Sequence, residues 1–171
     1  MKNKFLISFF IMTFCVLFQS LYPGFLKPWN IFPDLCLVFI IILSYSLGWE
    51  AIMPVAFLSG LMQDFLSSGP LGFYAFLNIV LALIFGLLKG KVSTTSFVFP
   101  FTMGFIASII RSVLIYLLIF WFRFEISNYA FSFLAWQYWV STFMDSLLVP
   151  LFFFLFSRNR FFKKILLQDR M

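Results

Sequence analysis

The stretch GLMQDFLSSGPLGFYAFLNIVLALIFGLLKGK, residues 60–91, decides how this chain must be read. It closes one apolar run with a single acid, Asp64, and reverses direction at Ser67-Ser68-Gly69-Pro70. A second apolar run follows over 70–88 and stops at Lys89-Gly90-Lys91. An apolar run of ~20 residues bounded by a turn and by lysines is long enough to cross a hydrocarbon layer as a helix. Two such runs back to back make a membrane hairpin.

The rest of the chain has the same character. Of 171 residues, 63% are hydrophobic and 11% charged, whereas a soluble domain carries roughly a quarter charged residues. Mean hydropathy is +1.05. The expected class is an all-α integral membrane protein: one transmembrane domain over 1–171, built as a six-transmembrane-helix bundle. The spans are expected at about 5–21, 32–47, 51–66, 70–88, 97–122 and 133–156, with a basic tail over 157–171. Pro33-Asp34 opens the second span, where proline suits the first turn and the acid complements the positive end of the helix dipole. The second and third segments are short and nearly loopless, so a re-entrant hairpin there gives the same tail orientation. The lysine-flanked first run lacks a small-x-small cleavage site and reads as a retained helix.

Lysine and arginine set the orientation. With the N-terminus inside, nine of the twelve basic residues fall on the inner side: Lys2, Lys4, Lys89, Lys91, Arg158, Arg160, Lys163, Lys164 and Arg170. Lys27 and Arg123 fall outside and Arg111 lies within a span. Both termini are therefore expected in the cytoplasm. Trp29 and Trp49 bracket the second span, and Trp121, Trp136 and Trp139 crowd the outer interface, as aromatic belts do. The net charge of +6 sits mainly in the inner tail, which favours anionic lipid headgroups over nucleic acid as its partner.

Three ionisable residues lie deep within spans, where each is costly and needs a partner. At ~1.5 Å per residue, Arg111, Asp145 and Asp64 fall at comparable depths. An Arg111–Asp145 ion pair is expected, with Asp64 and Asn78 nearby. Asp64 also stands where it can accept hydrogen bonds from the 67–72 turn or from the start of the fourth helix. Ala56, Ser59 and Gly60 share one side of the third span, and Gly104, Ala107 and Ser108 one side of the fifth. Such faces allow close helix approach, within the chain or against a partner's helix.

No catalytic constellation is visible. Histidine is absent, which removes histidine-based metal sites, triads and relays. Cys15 and Cys36 fall in apolar runs and read as buried filler. Asp64 follows Met62-Gln63 and Asp145 follows Phe143-Met144, neither of which matches an intramembrane aspartyl protease. No phosphate-binding or dinucleotide fingerprint occurs.

The residues from 32 to 88 carry a resemblance. Pro33-Asp34-Leu35 opens an apolar helix. Gly60-Leu61-Met62-Gln63-Asp64-Phe65-Leu66-Ser67-Ser68-Gly69-Pro70-Leu71-Gly72 follows, then Ala75, Leu77 and Gly86. This pattern resembles the MreD family of bacterial cell-elongation proteins, with Ser67-Ser68-Gly69 departing from that family's usual Ser-Gly turn. The resemblance implies a fold similar to the substrate-binding subunits of energy-coupling-factor vitamin transporters. It implies a non-catalytic scaffold of the bacterial inner membrane that binds MreC and is linked indirectly to MreB, RodA and a class B penicillin-binding transpeptidase. It implies no cofactor, and homodimerisation within a complex with MreC is compatible with it. The residues expected to matter for structure or partner binding are Asp34, Gly60, Asp64, Ser68, Gly69, Pro70, Gly72, Asn78, Arg111 and Asp145. The rival reading is a vitamin-binding transporter subunit. It fits less well, because the bulky first span lacks small residues four apart and the outer loops are short.

Overall fold

A computed structural model describes residues 2–21, 33–67, 70–89, 97–122 and 136–158. Among these residues the chain forms six helices: α1 (Lys2–Leu21), α2 (Leu35–Leu47), α3 (Trp49–Leu66), α4 (Phe73–Gly86), α5 (Val98–Phe122) and α6 (Trp136–Arg158).

The central element is α2. Its sequence LCLVFIIILSYSL is apolar on every side, and 11 of its 13 residues are buried. A helix without a polar face must be surrounded, and α2 packs against all five others. Around it the neighbours run α1, α3, α4, α5, α6 in contact order. Asp34 starts this helix as its N-cap, accepting the Leu37 N–H at 3.0 Å. At the other end a single residue, Gly48 with φ of +89°, joins α2 to α3, and its N–H closes onto the Ser44 carbonyl. Lys89 Nζ donates to the Leu47 carbonyl at 3.0 Å, placing a cation on the negative end of the α2 dipole. Gly86 of α4 lies against the Trp49 backbone. The end of α2, the start of α3 and the end of α4 are thus fixed at one level.

The small-residue faces are used inside the chain. A Cβ on Gly60 would overlap the Ala75 backbone, so α3 and α4 touch there main chain to main chain. A Cβ on Gly104 would lie 2.9 Å from Ser146 Cα, where α5 meets α6. Phe101 against Phe143 and Phe105 against Trp139 extend that contact, with ring centroids 6.0 and 6.4 Å apart. Cys15 and Cys36 are buried free thiols.

One expected feature is displaced. The fourth helix begins at Phe73, three residues after Pro70. Gly72 has φ of +92° and cannot continue a right-handed helix, while the Pro70 carbonyl accepts the Phe73 N–H at 3.3 Å. Pro70 therefore shapes the reverse turn and does not occupy a first helical turn.

Among the described residues two helices, α5 and α6, are long and apolar enough to cross a membrane; α1, α2 and α4 contribute shorter apolar runs. Large apolar side chains such as Phe10, Phe14, Phe120 and Phe154 are exposed on the bundle surface. Water would be a poor solvent for a patch of this extent, and hydrocarbon a good one.

Candidate functional site

The ionisable groups collect at the end of the bundle where α2 and α4 begin. Arg111 of α5 forms its ion pair with Asp34, through Nη1 and Oδ2. This corrects the expected Arg111–Asp145 pairing. Asp34 stands one residue before α2, and the short α2 starts at the depth of Arg111, which brings the N-cap carboxylate into reach. Asp145 of α6 lines the same cavity and interacts with Arg111 electrostatically. Its Oδ1 accepts the Asp34 backbone N–H at 2.7 Å and its Oδ2 accepts from Ser108 at 3.4 Å. Gln19 of α1 donates to Asp34 Oδ1 at 3.4 Å and accepts the Cys36 N–H at 3.4 Å. The Tyr74 ring of α4 lies 5.8 Å from the guanidinium carbon, within cation–π range.

Two carboxylates thus face one guanidinium and the positive end of α2. The helix N-terminus carries about half a unit charge, and the N–H groups of Asp34, Cys36 and Leu37 there go to Asp145, Gln19 and Asp34 in turn. The arrangement balances charge in a low-dielectric setting. It does not place two carboxylates on one shared proton, as an aspartyl dyad requires.

Asp64 is a separate capping site. It is buried, and its carboxylate accepts the N–H groups of Gly72 at 2.9 Å, Tyr74 at 2.7 Å and Ala75 at 3.3 Å. The α4 N-terminus has no side-chain cap of its own, so the acid from α3 serves that role. Ser67 closes the end of α3, its N–H on the Gln63 carbonyl and its hydroxyl on the Asp64 carbonyl. Tyr74 links the two sites, giving its N–H to Asp64 and its ring to Arg111. Asn78 donates to Gln63 at 3.1 Å and lines neither cavity. Ser68 and Gly69 lie outside the described residues.

Asp64→Ala should cost about 3 kcal/mol or more, because it strands donors that each lose a charge-assisted bond. Asp64→Asn should cost less, since the amide oxygen still accepts. Thermal unfolding in mild detergent checks the order, and equal loss in both variants would remove the capping role.

The polar groups open onto two cavities. One of about 300 Å³ is lined by Gln19, Asp34, Tyr74, Ser108, Arg111, Thr142 and Asp145, among others. A second, of about 310 Å³, is lined by Gln19, Ser20, Gln63, Ser67, Tyr74 and Arg111 with the apolar Val16 and Leu66. Gln19, Tyr74 and Arg111 belong to both walls. Sequence reading missed Gln19, Tyr74 and the hydroxyls. The signal was present as polar stripes at helical spacing: Ser108, Arg111 and Ser112 on α5, and Tyr138, Ser141, Thr142 and Asp145 on α6. Among the described residues no three metal-ligand side chains come together.

No curated protein and no solved structure matches this chain. The family model for rod shape-determining protein MreD matches residues 1–159, a span that includes all six helices. With that match on a bundle of apolar helices, the chain belongs to the MreD family of rod shape-determining membrane proteins.

Proposed function

We propose that this protein is a non-catalytic scaffold of the cell-elongation complex. It crosses the bacterial inner membrane six times, keeps both termini in the cytoplasm, binds MreC and helps organise peptidoglycan synthesis. Through MreC it is linked to MreB filaments, RodA and a class B penicillin-binding transpeptidase. A fold like that of the vitamin transporter subunits belongs to the same proposal.

The observation that carries the non-catalytic reading is the use of the intramembrane acids. Asp34 and Asp64 cap helices, Asp34 also pairs with Arg111, and Asp145 holds the Asp34 N–H. Each is occupied in holding helix ends together, so none is poised as an acid, base or relay. Lys89 at the α2–α3 junction is among the lysines that support placing this end of the bundle on the inner side. On that orientation the two polar cavities open toward the extracytoplasmic side. They are the natural place for a polar segment of MreC, while its single span would pack on an apolar helix face.

Purification in mild detergent tests this reading. MreC should copurify, and photocrosslinkers at Gln19 and Thr142 should capture it. The cavity volume also suits a small polar molecule, so a tightly bound metabolite without MreC would favour the transporter-subunit reading instead.

A further inference from the structure

The cavity of about 300 Å³ beside Arg111 is lined by two carboxylates and one guanidinium. The guanidinium pairs with Asp34. The α2 N-terminus offsets about half a unit of the remaining charge. Among the described residues no second basic side chain lines the cavity, so part of the charge on Asp145 is left over. Asp145 is 6% exposed, and a buried carboxylate needs a counter-charge.

Three oxygen-bearing side chains converge on that surplus. Thr142 and Asp145 stand three residues apart on α6 and share one face, and both line the cavity together with Ser108 of α5. The Ser108 hydroxyl lies 3.4 Å from Asp145 Oδ2. A hydroxyl giving its proton to a carboxylate usually closes to ~2.6 Å. Oxygen ligands stand ~2.4 Å from a calcium-sized cation, and sodium is of that size, so two ligands at right angles are ~3.4 Å apart. The observed spacing suits a pair of ligands better than a hydrogen bond.

Thr142 supplies an independent sign. The residue is 2% exposed, and its carbonyl accepts from Ser146 at 2.7 Å. Its hydroxyl has no hydrogen-bond partner among the described residues, although buried polar groups are ordinarily paired. It stands on the cavity wall, one turn from the surplus acid.

The donors are all oxygen, which suits hard cations. A monovalent ion closes the charge count, whereas a divalent ion would leave excess positive charge beside Arg111 and the α2 terminus. At ~30 Å³ per water, the cavity has room for water to complete the coordination.

We propose that Asp145, Thr142 and Ser108 form a site for one monovalent cation of sodium's size, at the seam of α5 and α6. The ion ties these helices to the start of α2, because Asp145 also holds the Asp34 N–H. The site goes beyond the scaffold reading and does not depend on MreC.

Thermal unfolding of the full chain in nonionic detergent tests it, in sodium chloride against N-methyl-D-glucamine chloride at equal ionic strength. Sodium should raise Tm saturably, by about 4 °C. Asp145→Asn and Thr142→Val should each abolish the rise. Thr142→Val removes a hydroxyl without a partner among the described residues, so this variant should fold and match the parent's Tm in the sodium-free salt. Equal Tm of the parent in the two salts overturns the site, as does a sodium effect that survives Thr142→Val. A larger rise in magnesium than in sodium overturns the monovalent assignment.

Discussion

Arg111→Met should deplete the folded protein more than any other single change in the polar site. The substitution keeps the packing volume but leaves Asp34 and Asp145 facing each other across a cavity without their cation. Breaking a buried pair by removing one partner costs on the order of 3–5 kcal/mol. The side chains of Arg111 and Asp34 are 12% and 16% exposed, so solvent screening relieves only part of this. The second half of the experiment identifies the partner. Asp34→Asn removes the charge and keeps the N-cap, because asparagine caps about as well as aspartate. Added to Arg111→Met, it should recover part of the lost stability. In a double-mutant cycle, coupling between Arg111 and Asp34 should exceed coupling between Arg111 and Asp145. Chemical unfolding in mixed micelles gives the four stabilities. A larger coupling to Asp145 would reverse the pairing described above.

Gly60→Val should be comparably damaging, for a steric reason. The added side chain meets the Cα and N of Ala75 and the carbonyl carbon of Tyr74. These are backbone atoms and cannot rotate away, so α3 and α4 must part. Overpacking alone costs about 1–3 kcal/mol. Here the separation also pulls Asp64, one turn further along α3, from the Tyr74 and Ala75 N–H groups it holds. The total should exceed 3 kcal/mol on these grounds. Gly72→Ala is the control. Its φ of +92° strains an alanine, but nothing lies within 4 Å of the new methyl, so the loss should stay near 1–2 kcal/mol. Thermal unfolding of both variants in detergent makes the comparison. Similar losses in the two would mean that α3 and α4 do not touch closely at Gly60.

The membrane class, the apolar runs and the turn between α3 and α4 were legible from composition and hydropathy. These depend on how each segment partitions between water and lipid, which is a local property of sequence. The capping role of Asp64 was legible too, because its donors lie only 8–11 residues away, across a single turn. The partner of Arg111 was not. Asp34, Arg111 and Asp145 sit on three elements, and Asp145 is 111 residues from the N–H it accepts. Which of two acids meets the guanidinium depends on how far α2 rises and how each helix is rotated. Sequence spacing along one helix fixes neither. The cavity walls escaped for the same reason: a serine or glutamine on an apolar helix is inexpensive by itself, and only the convergence of several helices gives it polar neighbours. What the sequence determined is that this chain lives in a bilayer with a few buried charges. The tertiary structure decided which of those charges meet, because helix depth and rotation are set by packing around α2.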